Sequence, residues 1–184
     1  MNTYKSEGVI LKRFNFGEAD RIITLFTKHY GKLTFIAKGI RRVTSRKRGS
    51  LEIFNVVSFL AAKGRGMDII TEAETIETFS EWRRNLKKVA AAYELCEIVD
   101  KLTAEGSEQE EVYHLLVDFL KRISLTADEM LSKLISDFGG NLLKLLGFWP
   151  KEKAFLPNFN VCSYIEQIIE KELKSKNFLK RCQN

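Results

Sequence analysis

Through the first eighty positions apolar and polar residues alternate with a period near two, and after residue 78 the period lengthens to that of a helix. The first block predicts strands over Tyr4–Phe14, Ile22–Thr27, Lys32–Lys38, Leu51–Leu60 and Met67–Ile76. In Tyr4–Phe14 the alternation is loose, with Val9 and Leu11 on one face and Ile10, Lys12 and Phe14 on the other. It is clean in the third run, where Leu33, Phe35 and Ala37 oppose Lys32, Thr34, Ile36 and Lys38. Asn15–Ala19 and His29–Gly31 read as turns, and Gly64-Arg65-Gly66 as a hairpin turn. Five short strands with one long connection predict a small closed barrel. The five-stranded OB-fold leads, with an SH3-like barrel or a sandwich fragment as alternatives.

The second block carries four candidate capping boxes, each before an apolar stripe of helical spacing. Thr78…Glu81 precedes Trp82, Leu86, Val89, Tyr93, Cys96 and Val99, and Ser107…Glu110 precedes Val112, Leu115, Leu116, Phe119 and Ile123. Thr126…Glu129 precedes a stripe from Leu131 to Leu145 that stops at Gly147, and Ser163…Glu166 precedes Ile168, Ile169 and Leu173. The Gly139-Gly140 pair marks a kink or a close approach. Pro150 and Pro157 fall in an irregular loop at about 149–160. The expected class is thus α+β in two domains: an N-terminal five-stranded OB-fold β-barrel over 1–78, then a C-terminal α-helical bundle over 79–184. No repeat of solenoid length is present.

Charge changes the picture. Residues 1–80 hold 14 Lys/Arg against 8 Asp/Glu, whereas 81–184 hold 16 against 16, so the whole excess of +6 lies in the barrel half. That asymmetry points to a module for a polyanion joined to a neutral one. Six cations (Lys38, Arg41, Arg42, Arg46, Lys47, Arg48) crowd into eleven residues without an acid, in the connection between the third and fourth strands. So dense a run repels itself and belongs in water or against phosphates; the plain alternative is a solvated loop. A signal peptide and a membrane-spanning apolar run are not readable, and three cysteines argue against a disulfide framework, so a cytoplasmic protein is expected, with no membrane partner.

A resemblance gives these features a family. Gly8-Val9-Ile10-Leu11, Gly17-Glu18-Ala19-Asp20, Leu25-Phe26-Thr27, Gly31, Ala37-Lys38-Gly39-Ile40-Arg41-Arg42 with Ser45, and Glu72-Ala73-Glu74 resemble the RecO family of bacterial DNA-repair recombination mediators. Tyr93-Glu94-Leu95 and Leu142–Phe148 before Pro150 carry the resemblance, more loosely, into the second half. It implies an OB-fold followed by a helical domain, and a non-enzyme acting at the bacterial nucleoid. The implied activity is to bind single- and double-stranded DNA, anneal strands and work with RecR. With the acidic tail of single-stranded DNA-binding protein it assists RecA loading. Many members also carry four cysteines in paired C-x-x-C spacing that bind zinc. Here that region offers only Cys162, with Cys96 and Cys182 far away, so no metal and no cofactor is expected, and the chain reads as a short variant without the zinc motif. Cys96 reads as a core residue on an apolar helix face.

The expected DNA contacts are Lys38, Arg41, Arg42, Arg46, Lys47 and Arg48, joined by Lys12, Arg13 and Arg65, all displacing counterions from phosphates. Phe14 and Phe16 are candidates for stacking on unpaired bases, against the ordinary alternative of core packing. For an acidic partner tail the helical half offers Lys171, Lys174, Lys176, Lys180 and Arg181, which serve a helix C-terminus equally well. Two sets are candidates for metal-assisted chemistry: Glu18, Asp20, Asp68 and Glu72 in the strand half, and Glu110, His114 and Asp118 on one helix face. Nothing groups the first set; the second, at i, i+4 and i+8, allows a ligand set but more often means solvated surface, and there is no G-x-x-x-x-G-K-[ST] phosphate loop. A general RNA-binding OB module and a non-catalytic protein-interaction adaptor remain the rival readings.

Overall fold

The structure, a computed structural model, describes residues 2–45, 47–150 and 159–175. Five strands, β1 (Thr3–Phe16), β2 (Asp20–Thr27), β3 (Gly31–Ala37), β4 (Val56–Ala62) and β5 (Asp68–Glu77), close into a barrel in the order β1-β2-β3-β5-β4. Its pairings are antiparallel except β3 with β5, which run parallel and meet only at Phe35–Asp68 and Ile36–Ile69. This is the five-stranded OB-fold expected from the alternation.

The long β1 serves two neighbours. Thr3–Val9 pairs with β4, and Gly8–Phe16 pairs with β2. Inward residues Ile10, Ile23, Leu25, Phe35, Ala37, Val57, Phe59, Ala61 and Ile70 fill the barrel, with Phe35 and Phe59 edge to face at 5.1 Å. Each large side chain so buried contributes about 1.5–3 kcal/mol.

Two strand limits differ from expectation. β1 runs on through Asn15 and Phe16, leaving a turn of Gly17–Ala19. Leu51–Asn55, expected as the start of the fourth strand, is instead a turn. There Asn55 donates its amide to the carbonyls of Gly49 and Ser50, and Phe54 takes φ 74 while bonding Ile10 O. An amide that satisfies two loop carbonyls holds the chain out of the ladder until Val56.

Two compact units are distinguished: one runs to Phe79 and includes Thr103–Tyr113, the other takes Ser80–Leu102 and the chain from His114. In the first, Thr103–Tyr113 returns to the open edge of β3. Gly106 N donates to Lys32 O at 2.9 Å, and Lys32 pairs with Glu105. Gly31, at φ 63, passes so close to Ser107 that a Cβ there would stand 1.8 Å from its carbonyl oxygen. Only glycine fits.

The helices are α1 (Leu86–Leu102), α2 (Glu110–Leu125), α3 (Leu131–Leu145) and α4 (Val161–Ile169), with a 3-10 turn at Asp128–Met130. None of the four capping boxes acts as expected. Glu77 takes the N–H of Thr78 and Phe79, and Phe79 turns left-handed, so α1 waits for Asn85, whose Oδ1 accepts from Lys87 and Lys88. Ser107 instead packs on Gly31, and Thr126 Oγ1 bonds back to Arg122 O. α4 is capped by Asn160, which accepts from Ser163 N at 2.9 Å. Gly147 does end α3: its N–H reaches Lys144 O and that of Phe148 reaches Leu143 O, the paired bonds of a Schellman stop. Gly139 serves close approach, since a Cβ would meet Val161 and Ile165 of α4 at 2.9 Å. Trp82, buried, donates to Leu120 O, Phe119 meets Phe138 at 5.3 Å, and Cys96 is buried, which pushes its thiol pKa up.

Candidate nucleic-acid interface

The basic connection is pinned where it leaves β3. Gly39 N donates to Asp20 Oδ1 at 2.7 Å and Arg41 N to Ala19 O at 2.9 Å, while Arg41 Nη1 reaches Gly17 O at 3.1 Å. The cations therefore start from the β1–β2 turn. Successive tight turns follow (Arg42 N to Gly39 O, Ser45 N to Arg42 O, Leu51 N to Lys47 O), and Ile40 and Leu51 root the two ends in the core. Lys38, Arg41, Arg42 and Arg48 are exposed, as is Val43 between them. Arg46 lies outside the described residues.

Lys47 departs from its neighbours. It is half-buried, its Nζ donates to Ile70 O at 2.9 Å, and desolvation lowers its pKa. That carbonyl lies just past the last β3–β5 pair, so the lysine straps the loop to β5 where the parallel pairing stops.

The outer face beside this loop owes its composition to one bulge. Ile10 pairs with Leu25 and Lys12 with Thr24, leaving Leu11 as an extra residue in β1. Beyond it, Lys12, Phe14 and Phe16 face outward and Arg13 and Asn15 inward, so Phe14 lies on the face opposite to that expected from its alternation with Ile10. Phe14 is 58% exposed and Phe16 49%, so neither is a core residue. Register then aligns Phe14 with Ile22, Ile36 and Ile69 in one row across β1, β2, β3 and β5. At about 4.8 Å per strand spacing the row is about 14 Å long. Lys12 stands one step from Phe14 on the same face, and Arg65 and Met67 in the β4–β5 turn are exposed near the row's far end.

Sequence reading missed Ile22, Ile36 and Ile69, although an isoleucine on the otherwise polar face of β3 was a signal. It also missed Arg21 and Glu52. Arg13, expected to face phosphates, pairs with Glu52 at 2.6 Å, and Arg21 reaches the same carboxylate oxygen at 3.4 Å.

The candidate carboxylates Asp20, Asp68, Glu110 and Asp118 each have partners of their own. Asp20 holds Gly39. Burial raises the pKa of Asp68, but hydrogen bonds from Tyr4 Oη (2.7 Å), Gly64 N and Lys63 outweigh it and leave the carboxyl below its ordinary range. Glu110 pairs with Lys28 and His29, and Asp118 with Arg122. Among the described residues no group of three or more His, Cys, Asp or Glu could hold a metal ion. Lys171 is exposed, and the backbone N–H of exposed Lys174 donates to Glu97; Lys176, Lys180 and Arg181 lie outside the described residues. No helix among the described residues is long and apolar enough to cross a membrane.

Comparison with known proteins assigns both halves. The family described as Recombination protein O N terminal matches residues 1–79, and Recombination protein O C terminal matches 83–154. The chain is similar to proteins named DNA repair protein RecO. One, from Pelotomaculum thermopropionicum, is 34% identical over 150 residues, 82% of this chain and 57% of the relative. Another, from Synechocystis sp., is 32% identical over 179 residues, 97% of this chain and 62% of the relative. A third, from Gloeothece citriformis, is 40% identical over 125 residues, 68% and 44% respectively. The chain thus spans about half the length of the curated relatives it matches.

Proposed function

The chain belongs to the RecO family, and from that premise we propose that it acts in DNA repair and recombination as a non-catalytic DNA-binding mediator. In this reading it binds single- and double-stranded DNA through the barrel and anneals complementary strands. It assists RecA loading together with RecR and the acidic tail of single-stranded DNA-binding protein, the tail meeting the helical half.

One observation carries the reading: the pinned cations of the β3–β4 connection stand beside an outer-face row of half-buried isoleucines led by exposed Phe14. Phosphates exchange their counterions for Lys38, Arg41, Arg42 and Arg48, which gives affinity without sequence preference and a steep dependence on salt. Unpaired bases lie on Phe14 and Phe16, at about 1–3 kcal/mol per stacked base, with the isoleucines as an apolar floor. Annealing follows when one cationic surface lowers the repulsion between two strands.

The test is fluorescence anisotropy of a labelled single-stranded oligonucleotide with wild type and Arg41→Glu/Arg42→Glu at several salt concentrations. Loss of affinity and of part of the salt slope in the double variant is the expected result; equal binding by both proteins refutes the interface. Competition by RNA of matched sequence separates this reading from an RNA-binding module.

A further inference from the structure

Arg13 and Arg21 converge on a single oxygen, Oε1 of Glu52, at 2.6 and 3.4 Å, and Arg21 Nε also donates to Asn15 Oδ1 at 3.2 Å. Register puts Arg13, Asn15 and Arg21 on the inner face of the sheet, at the end of the barrel that the β1–β2 turn closes. Ile23, opposite Arg13 and fully buried, blocks the way deeper, so both guanidiniums sit at the mouth. Glu52 comes from the same connection as the cations, four residues after Arg48, and is held there by buried Leu51 and by the Phe54–Ile10 bond. Two cations facing one carboxylate leave a formal positive charge over. All three side chains keep contact with water, at 28%, 15% and 36% exposure.

We propose that Glu52 is a built-in competitor for a nucleic-acid phosphate: it occupies Arg13 and Arg21 in the free protein and yields them to a phosphodiester of the bound strand. The guanidinium fork matches the two non-bridging oxygens of a phosphodiester as well as it matches a carboxylate. The released Glu52 returns to water at small cost because it is already part-exposed. The exchange explains why a cationic barrel mouth carries an acid inside its own basic connection, and it sets an affinity ceiling that removal of the acid lifts. The inference rests on the reading of this end of the barrel as the phosphate-binding end.

The experiment titrates a labelled oligothymidylate with wild type, Glu52→Gln, Arg13→Gln, Arg21→Gln and, as a control for general charge, Glu18→Gln in the nearby turn. Glu52→Gln is expected to bind about fivefold more tightly with an unchanged salt slope, the effect of one partly shielded ion pair. Glu18→Gln should gain less than about twofold. Arg13→Gln and Arg21→Gln should each flatten the slope by about 0.7, one phosphate contact on a single strand. Circular dichroism checks folding, and if Glu52→Gln does not fold, the Arg21→Gln slope decides. A Glu52→Gln affinity no better than that of Glu18→Gln, or an Arg21→Gln slope equal to wild type, overturns the inference. With Arg41→Glu/Arg42→Glu run alongside, loss of binding there with no gain in Glu52→Gln sinks the exchange while leaving the interface standing. Absence of binding by the wild type removes both.

Discussion

Lys47 points its ammonium at the carbonyl of Ile70, 2.9 Å away, and so turns inward from the middle of a run whose other described cations reach solvent. One cation of the cluster is a strap. Replacing it should separate two effects that a charge count merges. Lys47→Met leaves Ile70 O without its donor and should cost about 1–3 kcal/mol in urea unfolding. It should leave the salt slope of DNA binding as in wild type, whereas Arg42→Met should flatten that slope by about 0.7 and leave stability alone.

The same lysine has a pH signature. Its folded pKa is depressed by desolvation below the ordinary 10.5, so between the two values the unfolded chain binds more protons. The cost of burying the charge is fully present below the folded pKa and is relieved as pH rises through it. Wild-type stability minus that of Lys47→Met should therefore climb with pH on the alkaline side, up to about 10.5. A flat difference in denaturant melts from neutral pH to that limit would show that Lys47 is no more buried than a surface lysine.

Gly31→Ala should be among the most damaging small substitutions in the barrel. It places a methyl 1.8 Å from Ser107 O and forces φ 63 on an L residue. Gly17→Ala is the matched control, with φ 55 and nothing within 4 Å of the new atom. The control should lose about 1–2 kcal/mol from left-handed strain alone. Gly31→Ala should lose clearly more in thermal melts, because the Thr103–Tyr113 segment must lift off β3.

Phe14→Ala should weaken single-stranded DNA binding by about 1–3 kcal/mol while leaving duplex binding and the salt slope nearly unchanged. Its exposure makes the folding cost small. An equal loss on duplex DNA would mean that the ring contacts backbone and not unpaired bases.

Asn85→Ala should remove about 1 kcal/mol from the helical unit through the lost cap of α1. It also cuts the Nδ2 bond to Asp128, 3.0 Å long.

Legibility followed the range of the forces involved. The five strands and four helices could be read because alternation and helical spacing are local, and the barrel followed from strand number and length. The basic run was legible as charge. Its geometry was not, since Asp20, Ala19 and Ile70 lie far from their loop partners in sequence. The capping boxes failed for a related reason: Glu77 and Phe79 stop the chain from turning helical before Asn85, and Ser107 is claimed by Gly31. Phe14 eluded alternation because an unpaired residue in one strand is defined only against its neighbour.

That unpaired residue, Leu11, works as a frameshift. Upstream of it β1 is read in the phase that fills the barrel, with Ile10 inward; downstream the phase is inverted, so Lys12, Phe14 and Phe16 meet the outside. One chain thereby carries two messages in different reading frames, one for the interior and one for whatever lies against the surface. Residues on the outward frame can change in size or charge without disturbing the packing beneath. Deleting Leu11 alone would make Ile10 and Lys12 successive pairs of a regular ladder, so Lys12, Phe14 and Phe16 would keep their outward face and only the local kink would be lost.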